Sequence, residues 1–327
     1  MEWKKIIEKN LPEIRPALES NIERIVQKKQ KLDAKRPLPM MALERIREDL
    51  FIEWSYNSTN IEGNTLNLNE TRLVLQEGIT IKGKTLREHL EVSNHHEAIE
   101  FVEQLVKEKS EINERSVLKI HEIVMTKIQR DFAGIYRNGM VRIGGANFVP
   151  PNPLKVQALM DDFFDFINSN PLQLNDIEMA AILHHRFVWI HPFFDGNGRT
   201  VRLLMNLYLM QKGFPPAIIL ANDRKKYYDA LNKANSGNFE KLMLMICQAI
   251  ERSLDIYLMA YPDGYEYKPI QNIVEEEQLP YGQEYISLLA RQGKIDAYKE
   301  GRNWYTSKES IKEYLANRKR KRIVSKK

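Results

Sequence analysis

A chain of 327 residues, 43% hydrophobic and 28% charged, has the composition of a soluble globular protein and length for two or three domains. No apolar run approaches the roughly 20 residues of a membrane span, and the start, Met1-Glu2-Trp3-Lys4-Lys5, lacks the apolar stretch of a signal peptide. The net charge of +5 is uneven: residues 268–327 hold 14 Lys and Arg against 8 Asp and Glu, a surplus of +6, which leaves −1 for the rest. The lone cysteine, Cys247, excludes an intrachain disulfide, so a core position and a reducing cytoplasm are expected.

Residues 1 to about 35 carry apolar residues at helical spacing (Ile6, Ile7, Leu11, Ile14, Leu18, Ile22, Ile25 and Val26), with Pro12 and Pro16 as interruptions. Residues 36–39 break the pattern. A second helix follows from 41 to about 57, with Leu43, Ile46, Leu50, Phe51 and Trp54 on one face. Ser58, Thr59 and Asn60 compete for helix hydrogen bonds and Gly63 suits a C-cap, so a helix end is predicted there. Taken alone, Glu62 is a solvated charge near that cap. Residues 70–110 are helical in pattern. His95-His96-Glu97 lacks a third ligand at helical spacing and reads as structural, as does the adjacent pair His184 and His185. After a helix over 115–130, residues 134–151 form the β-like stretch. Val141 and Ile143 alternate with polar residues, Gly144-Gly145 signals a turn and Phe148-Val149 starts the return, which reads as a hairpin or a surface loop. A helix over 156–167 then leads through a polar loop to the most informative segment.

That segment runs from Ile190 to Arg202, between the apolar helical runs 177–189 and 203–210. Gly196 and Gly198 let the backbone bend and bring its N–H groups close to a ligand. Those N–H groups open the following helix, and such a terminus binds anions. Arg199 and Arg202, three apart on one helix face, can clamp phosphate oxygens. Asp195 is a hard oxygen ligand suited to Mg²⁺. His191 precedes Pro192, which predicts an extended backbone, and an imidazole near neutrality can take a proton from an attacking hydroxyl. These residue types at these spacings point to phosphate transfer.

His191-Pro192-Phe193-Phe194-Asp195-Gly196-Asn197-Gly198-Arg199-Thr200-Val201-Arg202 closely resembles the signature of Fic-domain proteins, H-P-F-x-D/E-G-N-G-R-x-x-R. The resemblance implies transfer of AMP from ATP to a Ser, Thr or Tyr hydroxyl of a target protein. It implies His191 as general base, Asp195 on Mg²⁺, Gly196, Asn197 and Gly198 along the α- and β-phosphates, and Arg199 and Arg202 on the β- and γ-phosphates. Phe193 is then a core anchor. Ser58, Glu62 and Gly63 resemble the Fic inhibitory signature, S/T-x-x-x-E-G/N, in the subclass that carries it upstream of the catalytic turn. There Glu62 pairs with Arg202 and misaligns the nucleotide. Ile143, Gly144, Gly145, Phe148 and Val149 resemble the Fic flap that holds the target segment by main-chain pairing. The stretch from Arg224 to Leu231 resembles the border of the adenine pocket, with Tyr227 or Tyr228 against the base or simply in the core.

Beyond Tyr261-Pro262-Asp263-Gly264 the pattern is two helices, strand-like pieces at Ala297-Tyr298 and Trp304-Tyr305, and a last helix over 307–315. This resembles a winged helix-turn-helix domain, a common companion of Fic cores. Its helix and the run Arg318-Lys319-Arg320-Lys321-Arg322 suit nucleic acid, or else protein contacts and a solvated tail. The expected fold is mainly α: an N-terminal helical region with an inhibitory helix (1–80), a Fic core with a β-hairpin flap (81–258), and a winged-helix-like domain with a basic tail (265–327). The expected function is a cytoplasmic, Mg²⁺-dependent, ATP-using protein adenylyltransferase held low by Glu62, with a homodimer possible and no membrane association. Alternatives are a Fic enzyme using another nucleotide or removing AMP, and a nucleotide-sensing DNA-binding regulator.

Overall fold

Side-chain caps start most of the helices that build the site. The computed structural model describes residues 2–35, 40–261, 266–276, 279 and 281–324, with backbone only at 2, 40–43 and 317–324. Helix α1 (Glu2–Ala34) runs unbroken through Pro12 and Pro16, where the sequence predicts interruptions. Each proline removes one helix hydrogen bond, but α1 lies along another long helix and buries Ile7, Leu11, Ile14, Leu18, Ile25 and Leu32. Tertiary packing outweighs the local break. Helix α2 (Met40–Ile61) follows, longer than predicted. Thr59 is kept in the helix by its hydroxyl donating to the Ser55 carbonyl at 2.8 Å, and Gly63 beyond it takes φ of +105°.

Helices α3 (Leu68–Glu77), α4 (Leu86–Lys107) and α5 (Glu114–Met125) each start on a capping box: Asn67 with Glu70, Thr85 with Glu88, and Asn113 with Ser116. After α6 (Val156–Ser169), α7 (Asp176–Ile190) opens on a box of Asn175 with Glu178, and Glu178 is also gripped by both nitrogens of the Arg15 fork. Helices α7 and α8 (Asn197–Gln211) are buried on nearly every face, as central helices must be. α8 packs on α7, α4, α5 and α2 together. Helix α9 (Arg224–Ala234) and α10 (Glu240–Met259) complete this body, with α10 lying along α1 and Cys247 fully buried. The hydrophobic core is continuous from Ile7 to Leu254, so the first 80 residues share it with the rest.

A smaller second core, centred on Ile270, Ile273, Ile286, Leu289, Ile295 and Ile311, belongs to the C-terminal segment. It comprises β1 (Lys268–Pro269), α11 (Ile270–Glu276), α12 (Gln283–Arg291), β2 (Ala297–Glu300), β3 (Asn303–Thr306) and α13 (Lys308–Val324). The sheet order is β1-β3-β2, all antiparallel, with Tyr298 opposite Tyr305 in the β2–β3 hairpin. This segment is fastened to α1 by Arg24 and Asn21, which both donate to the Gly293 carbonyl, and by Lys28, which reaches Asp255 at 2.7 Å and Asp296. The boundary residues Pro262, Asp263 and Gly264 lie outside the described residues, as do the side chains of the basic run at 318–322. No described helix is long and apolar enough to cross a membrane.

The expected hairpin over 141–149 is not formed: residues 138–152 are a loop without strand pairing. A two-stranded ribbon with no covering layer has little to stabilise it. Instead a turn closes from Ala146 N–H to the Ile143 carbonyl at 3.3 Å, with Gly145 at φ +76°. Asparagine side chains then take over the loop's polar groups. Asn232 on α9 donates to the Gly145 carbonyl and accepts from Asn147 N–H, while Asn235 donates to the Asn147 side chain.

Candidate active site

The turn between α7 and α8 closes on itself. Asn197 accepts from the Phe193 N–H at 3.0 Å and donates to the Phe193 carbonyl at 2.9 Å, so its side chain fastens the loop. That leaves its backbone N–H, at the start of α8, as the group that could face a ligand. Phe193 is fully buried, as expected of an anchor, and its ring lies flat on His121, with centroids 3.6 Å apart and planes 3° from parallel. Gly196, the N-cap of α8, has φ of +74°, and a Cβ there would meet the Met125 sulfur at 2.8 Å. Only glycine fits both demands.

His191 does not have the extended backbone that a residue before proline predicts. It caps α7 in the left-handed region, φ 51° and ψ 61°, with its N–H on the Phe187 carbonyl at 2.9 Å. Such a conformation costs about 1–3 kcal/mol and persists only when its surroundings enforce it. Arg137 does so. This buried guanidinium donates to the carbonyls of His191 at 2.8 Å, Gly139 at 3.0 Å, Pro151 at 2.6 Å and Ile190 at 3.4 Å, and the Arg137 N–H donates to the Pro192 carbonyl. It thus ties both ends of the 138–152 loop to the end of α7, where a cation also meets the helix dipole. Burial pushes the His191 pKa down to about 4, so the imidazole is neutral and able to accept a proton at pH 7.

Arg202 is buried, and α2 supplies its partners: Nε donates to the Ser58 hydroxyl at 2.9 Å, and Nη2 to the Ser58 carbonyl at 2.7 Å and to Glu62 Oε1 at 2.8 Å. Burial works against its charge, but Glu62 together with Tyr227 and Tyr228 outweighs that and raises its pKa. The Glu62 carboxylate also lies against Gly198 so closely that a Cβ there would collide with it. Ser58 and Glu62 therefore meet Arg202 and the glycine turn in space, while Gly63 closes the end of α2 with its N–H on the Asn60 carbonyl. Arg199, equally buried, lies 3.5 Å from Asp195 and 3.6 Å from Glu91. Its Nε and Nη1, and Nη1 of Arg202, are buried with no hydrogen-bond partner. Asp195 is partly exposed. Burial would raise its pKa, but Arg199, the Gly196 N–H and Arg87 hold it below the usual carboxylate range.

Sequence reasoning missed three residues here. Arg87 on α4 pairs with Asp195 at 3.0 Å. His121 on α5 accepts the Gly134 N–H at Nδ1, 2.9 Å, so its Nε2 carries the proton and donates to the Asp195 carbonyl at 3.0 Å. Arg137 is the third. None shares a local motif with the turn, so spacing offered no signal. Of the two tyrosines, Tyr227 is buried and bonded to His184 at 2.7 Å, which closes it to a base. Tyr228 is half-buried, with its hydroxyl 3.3 Å from the Ile61 carbonyl, beside Glu62. His185 bonds Asn235 at 2.9 Å, and His95 packs on Trp54 near Ser55, so these histidines are structural. No metal-binding cluster of His, Cys, Asp and Glu occurs among the described residues.

The Fic/DOC family model matches residues 111–209. A Fic-1 segment from C. elegans has a TM-score of 0.68 at 33% identity, covering 77% of this chain and 74% of that one. The chain belongs to the Fic/DOC family. Its Fic relatives include the protein adenylyltransferase Fic of Nematostella vectensis, 37% identical over 261 residues, and that of Aedes aegypti, 35% identical over 284 residues. These alignments cover 78% and 84% of this chain but 60% and 56% of the relatives, so the chain spans little more than half of their length. A Fic domain containing signaling protein from Bacteroides thetaiotaomicron has a TM-score of 0.67 at 27% identity, covering 75% of this chain and all of that one. The matched Fic stretch takes in His121, Arg137 and the whole turn, whereas Ser58 and Glu62 lie upstream of it.

Proposed function

We propose that this chain is a protein adenylyltransferase that moves AMP from ATP to a Ser, Thr or Tyr hydroxyl and is restrained by Glu62. The observation that carries this reading is the set of buried guanidinium nitrogens without a hydrogen bond, on Arg199 and Arg202, beside a glycine-opened helix N-terminus and a neutral histidine. Buried cationic donors left without hydrogen bonds are costly, and a polyphosphate would satisfy them. His191 takes the hydroxyl proton as the oxygen bonds to the α-phosphorus. The bond to the β-phosphate oxygen breaks and pyrophosphate leaves, its charge met by Arg199 and the N–H groups of Asn197 and Gly198. Asp195, ionised and partly exposed, suits a Mg²⁺ ion, which when bound supplies positive charge to the phosphate oxygens. Arg87 would release Asp195 for that role.

The target segment docks along the 138–152 loop, in this reading by contact rather than by preformed strand pairing. Met140, Val149 and Leu154 expose 62%, 66% and 90% of their surface around it, an apolar strip suited to a protein partner. Glu62 takes the Arg202 position needed by the γ-phosphate, and removing it should restore alignment worth on the order of 10²-fold in rate. With α-labelled ATP and Mg²⁺, Glu62→Gly should label protein on that scale above the unaltered chain, and Glu62→Gly/His191→Ala should not. Label from γ-labelled ATP alone would instead mean phosphoryl transfer. No label from either would leave the family resemblance without this activity.

A further inference from the structure

A cavity of about 280 Å³ opens on the seam where the C-terminal segment meets α9 and α10, on a side of the molecule that none of the catalytic residues line. Its floor is apolar: Leu220, Leu244, Met245 and Trp304, of which the last three remain half-exposed. Around this floor stand several cations. Lys226 and Lys299 both neutralise Asp223, at 2.9 and 2.7 Å. A second carboxylate of the lining, Asp229, is exposed, and neither Lys241 nor Arg291 is ion-paired with it or with any other carboxylate among the described residues; Lys241 instead lies beside Lys233, whose pKa it lowers. Two unneutralised cations over an apolar floor suit a ligand with one anionic group and a flat apolar body. The volume is roughly twice the 150 Å³ cavity that holds benzene. It therefore fits a ring with a short acidic arm, and is too small for a folded partner.

The cavity wall is wired to the helix that carries Glu62. Arg252, buried in that wall, donates through Nε to the Lys299 carbonyl on β2 at 2.9 Å. Its other two nitrogens fork onto Glu53 of α2 at 2.8 and 3.2 Å. A second link joins the Ala221 N–H, beside Asp223, to Asn57 of α2 at 2.8 Å. Asn57 directly precedes the segment from Ser58 to Glu62 that holds Arg202, and Glu53 lies a little over one helical turn before it.

We propose that this seam cavity binds a small aromatic carboxylate or monophosphate, held by Lys241 and Arg291 over Trp304, and that its occupancy loosens Glu62 from Arg202 through Arg252 and Glu53. An acidic group in the cavity competes with Glu53 for the Arg252 guanidinium. The second half of the proposal rests on the adenylyltransferase reading, whereas the binding half does not.

Binding is therefore tested without nucleotide, by calorimetry on the full chain with phenyl phosphate and 3-phenylpropanoate. The expected result is saturable binding at one site, weakened about tenfold or more in Lys241→Met/Arg291→Met, whose exposed positions leave folding intact. The two probes separate a phosphate from a carboxylate head. Binding of neither, equal binding of inorganic phosphate, or no loss in the double variant would overturn the site. The link is read separately as AMP transfer with α-labelled ATP. The bound probe should raise transfer several-fold in the unaltered chain but not in Glu62→Gly or Arg252→Ala. Binding with no such rise, while Glu62→Gly is active, would overturn the link and leave the site. Inactivity of Glu62→Gly itself would count against the adenylyltransferase reading and not against binding.

Discussion

The α7–α8 turn and the 138–152 loop both border His191, and they are held by opposite means. The turn is buried and closes on its own residues, through Asn197 on both polar groups of Phe193 and through glycine at position 196. The loop is largely exposed and holds no ladder; it is fastened from outside by Arg137 at its ends and by Asn232 and Asn235 at its tip. On the proposed function, a site that places a phosphate rigidly and accepts varied protein segments gains from that division. Preorganisation belongs to the turn and adaptability to the loop.

Arg137 serves both, and Arg137→Ala should have the largest effect. It would strand four carbonyls and release His191 from its left-handed backbone, a loss of about 3–5 kcal/mol in denaturant unfolding. Arg137→Lys should recover only part, because an ammonium cannot reproduce the planar fork. An intact midpoint in Arg137→Ala would mean that the two regions hold His191 independently. Asn197→Ala should cost about 2–3 kcal/mol by leaving the Phe193 N–H and carbonyl buried and unpaired, with no increase in hydrogen exchange in the loop.

Acid should attack the turn before the loop. Burial lowers the pKa of His121 and of His191 to about 4, against roughly 6.5 in the unfolded chain. Because the unfolded state binds the proton first, stability is unaffected above about pH 6.5 and falls as pH drops from there towards 4. Each such histidine contributes a loss of up to about 1.4 kcal/mol per pH unit in that window. Thermal midpoints between pH 7 and 5 should fall less steeply in His121→Gln; equal slopes would remove His121 from the account. The smallest effect is expected at the loop tip. Asn232→Ala should cost about 0.5–1 kcal/mol in stability, since its bonds are exposed, yet speed amide exchange over residues 143–149. Unchanged exchange would show that Arg137 alone orders the loop.

The turn was legible in the sequence because its demands are local. Glycine for a positive φ and two arginines one helical turn apart can each be read from residue type and spacing. The pairing of Glu62 with Arg202 was legible only through resemblance, because 140 residues separate the partners and a glutamate near a cap is ordinarily solvated. The errors have physical causes of the same kind. Pro12 and Pro16 lose to the packing of α1 along α10, and the hairpin lacks a covering layer. His191 is turned left-handed by Arg137, and Tyr227 is drawn into the core by His184.

What the sequence determined by itself is the helical body, the glycine turn between α7 and α8 and the C-terminal β2–β3 hairpin, since hydrophobic period, caps and turn residues act over a few positions. Only the tertiary structure decided which buried donors remain unpaired, which carboxylate holds Arg202, and how Arg87, His121 and Arg137 surround the turn. Those contacts depend on burial and on charges brought together from α2, α4, α5 and α8, and neither is a property of any local stretch.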